Sequence, residues 1–190
     1  MKAMIDLPTI TTGMIVSREG KIPDRAIKSV QNQIYFKYFH KQFLIVYNKD
    51  KKRTIGNCWN EIVDNATGEY VFLMDDDDMI SVDYLFTLAL SASMWQKKLN
   101  NLAGVTTHVM AYIPEADAIC PVNRTPTGMI KTKICKKFRF DEKLKNHVDS
   151  EFLQRINDAG HIVKVLTWNY SYLYRQHDEN VSGRMINVVK

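Results

Sequence analysis

Four consecutive aspartates follow an apolar segment near the middle of the chain. The apolar segment spans residues 70–74 (YVFLM) and the acidic run is Asp75, Asp76, Asp77 and Asp78. Neighbouring carboxylates repel one another, so such a run is stable only when water or a cation surrounds it. Hard divalent cations take oxygen ligands and can keep coordination positions for phosphates. These residue types therefore indicate a metal-assisted nucleotide site.

The acidic run could also be a solvated segment or a calcium-binding loop. A solvated loop or the first turn of a helix is the commonest setting for such charges. The apolar segment favours a functional site, because it predicts a strand buried on both faces, and open α/β sheets bind ligands at the carboxyl ends of such strands. An EF-hand loop is excluded, because counting from Asp75 places Ile80 where glycine is needed and Phe86 where glutamate is needed.

Alternating strands and helices would position this run. Apolar and β-branched segments predict strands at residues 10–17, 43–47, 70–74, 103–112 and 162–168, with shorter ones near 119–123 and 172–174. Helical spacing predicts helices at residues 23–34, 54–65, 83–97 and 149–159, and residues 138–145 are predicted to form a loop. Strands and helices that alternate in this way form crossover units. The sequence therefore predicts an α/β fold with a mostly parallel central sheet flanked by helices.

Composition narrows the class of protein. The chain has 190 residues, of which 45% are hydrophobic, enough for one globular domain with its own core. We find no apolar run of about 18 residues and no signal peptide at the N-terminus. The three cysteines have no metal-type spacing, which favours reduced thiols. We therefore expect a soluble, cytoplasmic protein, and its net charge of +5 suits an anionic ligand.

Four motifs in order resemble those of inverting glycosyltransferases of family two. Residues 56–60 (GNCWN) are similar to G-x-x-R-N, and residues 66–78 (ATGEYVFLMDDDD) are similar to A-x-G-E-Y-I-x-F-L-D-x-D-D. Residues 140–152 contain F-D-E-x-L and the position of an acidic pair, and residues 174–182 are similar to Y-R-x-H-x-x-S-x-S. The resemblance implies one GT-A (Rossmann-like) domain. Residues from about 11 to 100 would form its nucleotide-sugar half, and residues from about 101 to 190 its acceptor half.

The resemblance also implies a Mn²⁺ or Mg²⁺ ion that bridges the diphosphate of the sugar donor. In the D-x-D register that matches best, Asp77 binds the metal and Asp75 contacts the ribose or the same metal. A register shifted by one residue, with Asp76 and Asp78, remains an alternative. His177, in the closing motif, is a further candidate ligand of the metal or the diphosphate.

Further residues are implied to contact the nucleotide. Asp50 matches the acidic position that reads the base, and the loop after the first strand would line the same pocket. Asn60 is the asparagine of the R-N pair, whose arginine is replaced by Trp59 here. Arg175 would contact an anion. The candidate donor-binding residues are Ser17, Arg18, Asp50, Asn60, Asp75, Asp76 and Arg175.

Single-displacement transfer also needs a base that takes a proton from the acceptor hydroxyl. Asp149 lies at the start of a predicted helix and in the acceptor-side motif. An aspartate there is also a common helix N-cap, but the resemblance favours the base. Glu151 is the reserve candidate.

The leading hypothesis is a metal-dependent inverting glycosyltransferase that uses a nucleotide-diphosphate sugar, most simply a UDP-sugar. Its acceptor hydroxyl would belong to a glycan, a protein or a hydroxymethylated base in viral DNA. A basic stretch before the acceptor motif could meet a polyanionic acceptor; it contains Lys131, Lys133, Lys136, Lys137 and Arg139. A nucleotidyltransferase and a non-catalytic sugar-nucleotide or nucleic-acid binder are the alternatives from other classes.

Overall fold

The computed structural model describes residues 6–18, 21–34, 36–114, 118–122, 128–167 and 171–175. Within these ranges the chain alternates between strands and helices. In chain order the elements are β1 (Ile10–Val16), α1 (Lys21–Gln31), α2 (Phe36–Phe39), β2 (His40–Tyr47), α3 (Ile55–Asn65), β3 (Tyr70–Asp75), β4 (Met79–Ile80), α4 (Tyr84–Gln96), β5 (Leu102–Thr107), β6 (Val109–Ile113), β7 (Ala118–Val122), β8 (Met129–Lys131), α5 (Thr132–Phe138), α6 (Val148–Asp158), β9 (Ile162–Leu166) and β10 (Tyr172–Arg175).

The larger sheet has six strands in the order β2-β1-β3-β8-β5-β9. β1 lies between β2 and β3 and is parallel to both, and β5 is parallel to β9. The short strand β8 runs antiparallel between β3 and β5. The predicted mostly parallel central sheet is therefore confirmed, with β8 as the exception. Because β1, β2 and β3 are parallel, the loops that follow them meet at one edge of the sheet.

Two apolar cores cover the two faces of this sheet. Successive residues of β3 alternate between them, because side chains along a strand point to opposite faces. Tyr70, Phe72 and Met74 pack with helices α1 and α4, while Val71 and Leu73 pack with α3, α5 and α6. All five side chains are buried. This double burial explains why the segment before the aspartates is apolar without interruption.

The smaller sheet has four strands in the order β4-β10-β6-β7. Residues 103–112, predicted as a single strand, divide between the two sheets: β5 joins the larger one and β6 joins the smaller one, with His108 between them. Every residue of β5 is buried, whereas burial alternates along β6. The prediction of one strand was wrong because β-branched and apolar residues occur on both sides of His108, and this pattern carries no sign of a change of sheet.

Helices α3 and α6 carry parts of two of the sequence motifs, residues 56–60 and the end of residues 140–152. The Thr54 hydroxyl caps α3 by accepting a hydrogen bond from the Asn57 amide. Helix α6 begins after His147, which has a positive φ of 54°. The predicted helices at 54–65 and 149–159 are thus observed. Helix α5, formed by the basic stretch, was not predicted.

None of the helices in the described ranges is both long enough and apolar enough to cross a bilayer.

Candidate active site

A cleft with a volume of about 480 Å³ lies where β1, β2 and β3 end. Five segments contribute to its walls: the end of β1 with the loop after it, the loop after β2 with the start of α3, the acidic run, the loop before α6 with the first turn of that helix, and β10 through Tyr174. The lining side chains that carry charge or a titratable ring are Arg18, Lys51, Lys52, Arg53, Asp75, Asp76, Asp77, Lys145, His147, Asp149 and Tyr174. The cleft therefore combines acidic residues with basic ones.

Asp76 anchors the acidic run to the loop after β1. Its Oδ2 accepts hydrogen bonds from the backbone amides of Ser17, at 2.7 Å, and Arg18, at 2.9 Å. Its Oδ1 pairs with the Arg18 guanidinium. With only 1% of its surface exposed, Asp76 holds two loops together at the base of the cleft.

Asp77 shares the same arginine. The second guanidinium nitrogen of Arg18 lies 3.1 Å from Asp77 Oδ2. The Asp77 side chain is largely buried, and its small exposed part lines the cleft. Arg18 therefore bridges two successive carboxylates of the run.

Asp78 points away from the cleft lining and holds β10 in place. Its Oδ2 accepts a hydrogen bond from the Tyr172 hydroxyl, and its Oδ1 accepts one from the Arg175 backbone amide at 3.1 Å. Burial, together with the negative charges of Asp77 and Asp75, raises the pKa of Asp78 well above its usual range. Asp78 thus connects the acidic run to the smaller sheet.

Asp75 is the carboxylate of the run that opens into the cleft. Although its side chain keeps a solvent-exposed surface there, protein atoms surround the cleft floor. Desolvation by these atoms, followed by the negative charges of Asp77, Asp149 and Asp76, raises the pKa of Asp75 to about 7, while Arg18 acts in the opposite direction. Asp149 is therefore close enough to Asp75 for their negative charges to interact.

Oxygen atoms suited to a divalent cation converge in this run. Asp75, Asp77 and Asp78 each offer a carboxylate oxygen, and these oxygens all lie within 4.8 Å of one another. A set of carboxylate oxygens fits Mg²⁺ or Mn²⁺. Asp75, Asp76 and Asp77 all line the cleft, but both carboxylate oxygens of Asp76 are engaged with the loop after β1. This arrangement favours the register with Asp75 and Asp77, while metal binding itself stays a prediction.

Asp149 lines the same cleft. It is the second residue of α6 and is half-buried, and the N-cap position belongs to His147. Asp149 is therefore not the cap of its helix. Glu151, the reserve candidate, pairs instead with Arg155 one turn further along α6 and does not line the cleft.

Three of the residues predicted to bind the donor are not among those that line the cleft: Asp50, Asn60 and Arg175. Asp50 is exposed and pairs with Lys52 at 3.1 Å. Asn60 is buried, where its amide nitrogen donates to the Phe140 carbonyl at 2.9 Å and to Glu142 Oε1 at 2.8 Å. Its side-chain oxygen accepts a hydrogen bond from the Phe140 amide at 2.9 Å. Asn60 thus ties α3 to the loop that leads to Asp149.

The closing motif is described only in part. Arg175 ends β10 and contacts Asp78 through its backbone, next to Tyr174, which lines the cleft. His177 lies outside the described residues. Its predicted contact with a metal or diphosphate stays a prediction.

Among the cleft residues that were not predicted from the sequence, the basic ones lie on two loops. Lys51 and His147 both have positive φ angles, of 51° and 54°, and Lys145 lies two residues before His147. Positive φ is uncommon for residues other than glycine and often occurs at functional loops. The sequence shows the basic character of residues 51–53 but gives no sign that residues 145–147 face them.

A six-stranded mixed sheet flanked by helices, with the cleft at the ends of β1, β2 and β3, is a GT-A-like glycosyltransferase fold. This confirms the predicted fold class. Among solved structures, S. aureus TarS matches with a TM-score of 0.66 at 15% sequence identity, over 90% of this chain and 37% of that chain.

TarS 1-349 in complex with UDP matches with a TM-score of 0.66 at 13% identity, over 90% of this chain and 61% of that one. TarS 1-349 in complex with UDP-GlcNAc matches with a TM-score of 0.67 at 13% identity, over 90% and 60%. This chain thus spans less than two thirds of each of these TarS chains. No protein-family model and no curated protein matches the sequence, so membership of family two stays a prediction.

Proposed function

We propose that this protein is a metal-dependent inverting glycosyltransferase that moves a sugar from a nucleotide-diphosphate sugar, a UDP-sugar in the first instance, to an acceptor hydroxyl. The observation that carries the proposal is that one cleft is lined by the acidic run and by Asp149. An inverting transfer needs both a cation site for the leaving group and a base for the incoming hydroxyl, within reach of one sugar. The TarS structures that hold UDP and UDP-GlcNAc support this class of donor.

The residues divide between the two tasks. Asp75 and Asp77 would hold Mn²⁺ or Mg²⁺, which offsets the negative charge of the departing nucleoside diphosphate. Asp149 would accept the proton of the acceptor hydroxyl as that oxygen attacks the sugar. Ser17, Arg18 and Asp76 fix the loop that borders the donor side of the cleft.

The proposal leaves three classes of acceptor: a glycan, a protein or a modified DNA base. The basic stretch that suggested a polyanionic acceptor forms β8 and α5, and its lysines and Arg139 are not among the residues that line the cleft. Arg139 pairs with Asp64 on α3. The basic stretch therefore gives no support to a DNA acceptor at this site.

The test of the base is Asp149→Asn. This substitution keeps the size of the side chain but removes its basicity, so we expect UDP release from UDP-sugars with Mn²⁺ and an acceptor to fall by about 10²-fold or more. Binding of UDP with Mn²⁺, measured by calorimetry, should be retained. Glu151→Gln is the matched control, because this residue lies on the same helix turn outside the cleft, and its activity should stay near that of the wild type. Full activity of Asp149→Asn would refute its role as the base.

The product identifies the reaction class. A glycosyltransferase releases UDP, whereas a nucleotidyltransferase acting on a sugar phosphate releases pyrophosphate. Asp77→Asn should abolish the release of UDP together with metal-dependent binding. Pyrophosphate as the product would replace the proposal with the nucleotidyltransferase alternative.

A further inference from the structure

Arg18 lies at the point where the acidic run would meet a metal. Its guanidinium pairs with Asp76 Oδ1 and lies 3.1 Å from Asp77 Oδ2. About a quarter of the Arg18 side chain is exposed, and it lines the cleft with both partners. The arginine therefore shares the cleft lining with the two aspartates that it pairs with.

A divalent cation and Arg18 would draw on the same carboxylate. Asp77 is one of the three residues whose oxygens converge within 4.8 Å, and its Oδ2 already faces the guanidinium. Two positive groups on one carboxylate repel each other strongly where the surroundings are poorly solvated. Tight binding of a free metal ion therefore requires the guanidinium to move from Asp77.

The loop that carries Arg18 can stay in place when the side chain moves. The backbone amides of Ser17 and Arg18 hold Asp76 Oδ2 independently of the guanidinium. A guanidinium released from Asp77 would find a new anion in a diphosphate, since its planar donors pair well with phosphate oxygens.

We propose that Arg18 acts as a stand-in cation: it pairs with Asp76 and Asp77, and it yields Asp77 to the metal when a nucleoside diphosphate enters the cleft and accepts the guanidinium. The proposal rests on the proposed function for the identity of the nucleotide. If Arg18 has this role, metal and diphosphate bind cooperatively, and the metal alone binds weakly.

The test measures Mn²⁺ binding to the full chain by calorimetry, without nucleotide and with saturating UDP. In the wild type we expect UDP to tighten Mn²⁺ binding, within the range of about 5- to 150-fold that is usual for coupled sites. In Arg18→Gln, Mn²⁺ alone should bind several-fold more tightly than in the wild type, UDP should bind more weakly, and the coupling should shrink. Arg25→Gln, an exposed position on α1, is the matched control and should behave as the wild type.

Arg18→Lys separates the role of charge from loss of the fold. Lysine keeps the positive charge but cannot bridge Asp76 and Asp77 with a planar fork, so Mn²⁺ alone should bind Arg18→Lys more tightly than the wild type and more weakly than Arg18→Gln. Arg18→Lys therefore replaces Arg18→Gln in the comparison with the wild type if Arg18→Gln does not fold. If free Mn²⁺ binds the variant no more tightly than the wild type, and the wild type binds Mn²⁺ with UDP, the proposed role of Arg18 is overturned and the proposed function stands. A wild type that binds neither Mn²⁺ nor UDP in any combination would overturn the proposed function itself.

Discussion

The four aspartates of the acidic run are the same type of residue, but each lies in different surroundings. Asp76 is held by backbone amides, Asp77 by an arginine and Asp78 by a tyrosine hydroxyl, while Asp75 opens into the cleft. Each assignment depends on a partner from a distant part of the chain. At the residue scale, the sequence thus predicts the composition of the site, and the fold decides what each carboxylate does.

The contact between Tyr172 and Asp78 predicts a loss of stability in Tyr172→Phe. Removing the hydroxyl leaves a buried carboxyl group without one of its donors, which should cost about 1–3 kcal/mol in the free energy of unfolding. Urea denaturation measures this change. Tyr47→Phe, on an exposed side chain, should leave stability nearly unchanged. Equal stability of the wild type and Tyr172→Phe would show that the hydroxyl contributes nothing.

The burial of His40 should make the stability of the fold depend on pH. Burial lowers the pKa of His40 to about 4 from its ordinary value of 6.5, and its Nε2 lies 3.1 Å from the Thr12 hydroxyl oxygen. Because the unfolded chain then binds a proton more readily, this histidine destabilises the fold progressively as the pH falls from about 6.5 towards 4. In His40→Gln, the decrease in melting temperature between pH 7 and pH 5 should be smaller than in the wild type. An identical decrease would contradict the prediction.

Helix α3 and the loop before α6 form one unit at the scale of elements. The side chains of Asn57 and Asn60 both donate to the carboxylate of Glu142, and Asn60 also bonds the backbone of Phe140. Trp59 and Phe140 pack edge to face, with ring centroids 5.0 Å apart. This packing explains why two motifs separated by 80 residues in the sequence belong together: the first supports the loop that leads to Asp149.

Gly56 makes this close packing possible. A Cβ atom at this position would clash with the carbonyl oxygen of Asp141, which is backbone and cannot rotate away. Gly56→Ala should therefore lower the free energy of unfolding by about 1–3 kcal/mol, as overpacked sites do. Thermal denaturation would measure the loss, with Asn65→Ala at the exposed end of α3 as the control. A variant as stable as the wild type would show that the loop moves aside without cost.

At the scale of the whole molecule, the two sheets bring the halves of the chain together at the cleft. The larger sheet carries the acidic run on β3, and the smaller sheet places Tyr172 and Arg175 of β10 against Asp78. Short strand β4, which follows the run directly, pairs with β10. The cleft is therefore built between elements from both halves of the sequence.

Ligand binding should stabilise the molecule as a whole. A donor that binds only the folded chain should add about 3 kcal/mol at a concentration a hundredfold above its Kd. For a chain of this length, the melting temperature should then rise by roughly 5–10 °C. A thermal-shift comparison of UDP with Mn²⁺, UDP alone and Mn²⁺ alone measures this, and Asp77→Asn should lose the response to the combination. No rise with any nucleotide would contradict a nucleotide site in the cleft.

The sequence by itself determined the alternation of strands and helices, the doubly buried strand β3 and the acidic residues at its end. These features follow from local apolar patterns, which record burial and periodicity within a short segment. It also placed Asp75, Asp77 and Asp149 as candidates, and the structure brings them to one cleft.

Only the tertiary structure decided which partner each aspartate has, that Asn60 supports a loop, that Asp50 lies outside the cleft lining, and that residues 103–112 serve two sheets. Each of these depends on contacts between residues far apart in the chain. A local pattern reports whether a side chain is buried, but the side chain that meets it is chosen by how the whole chain packs.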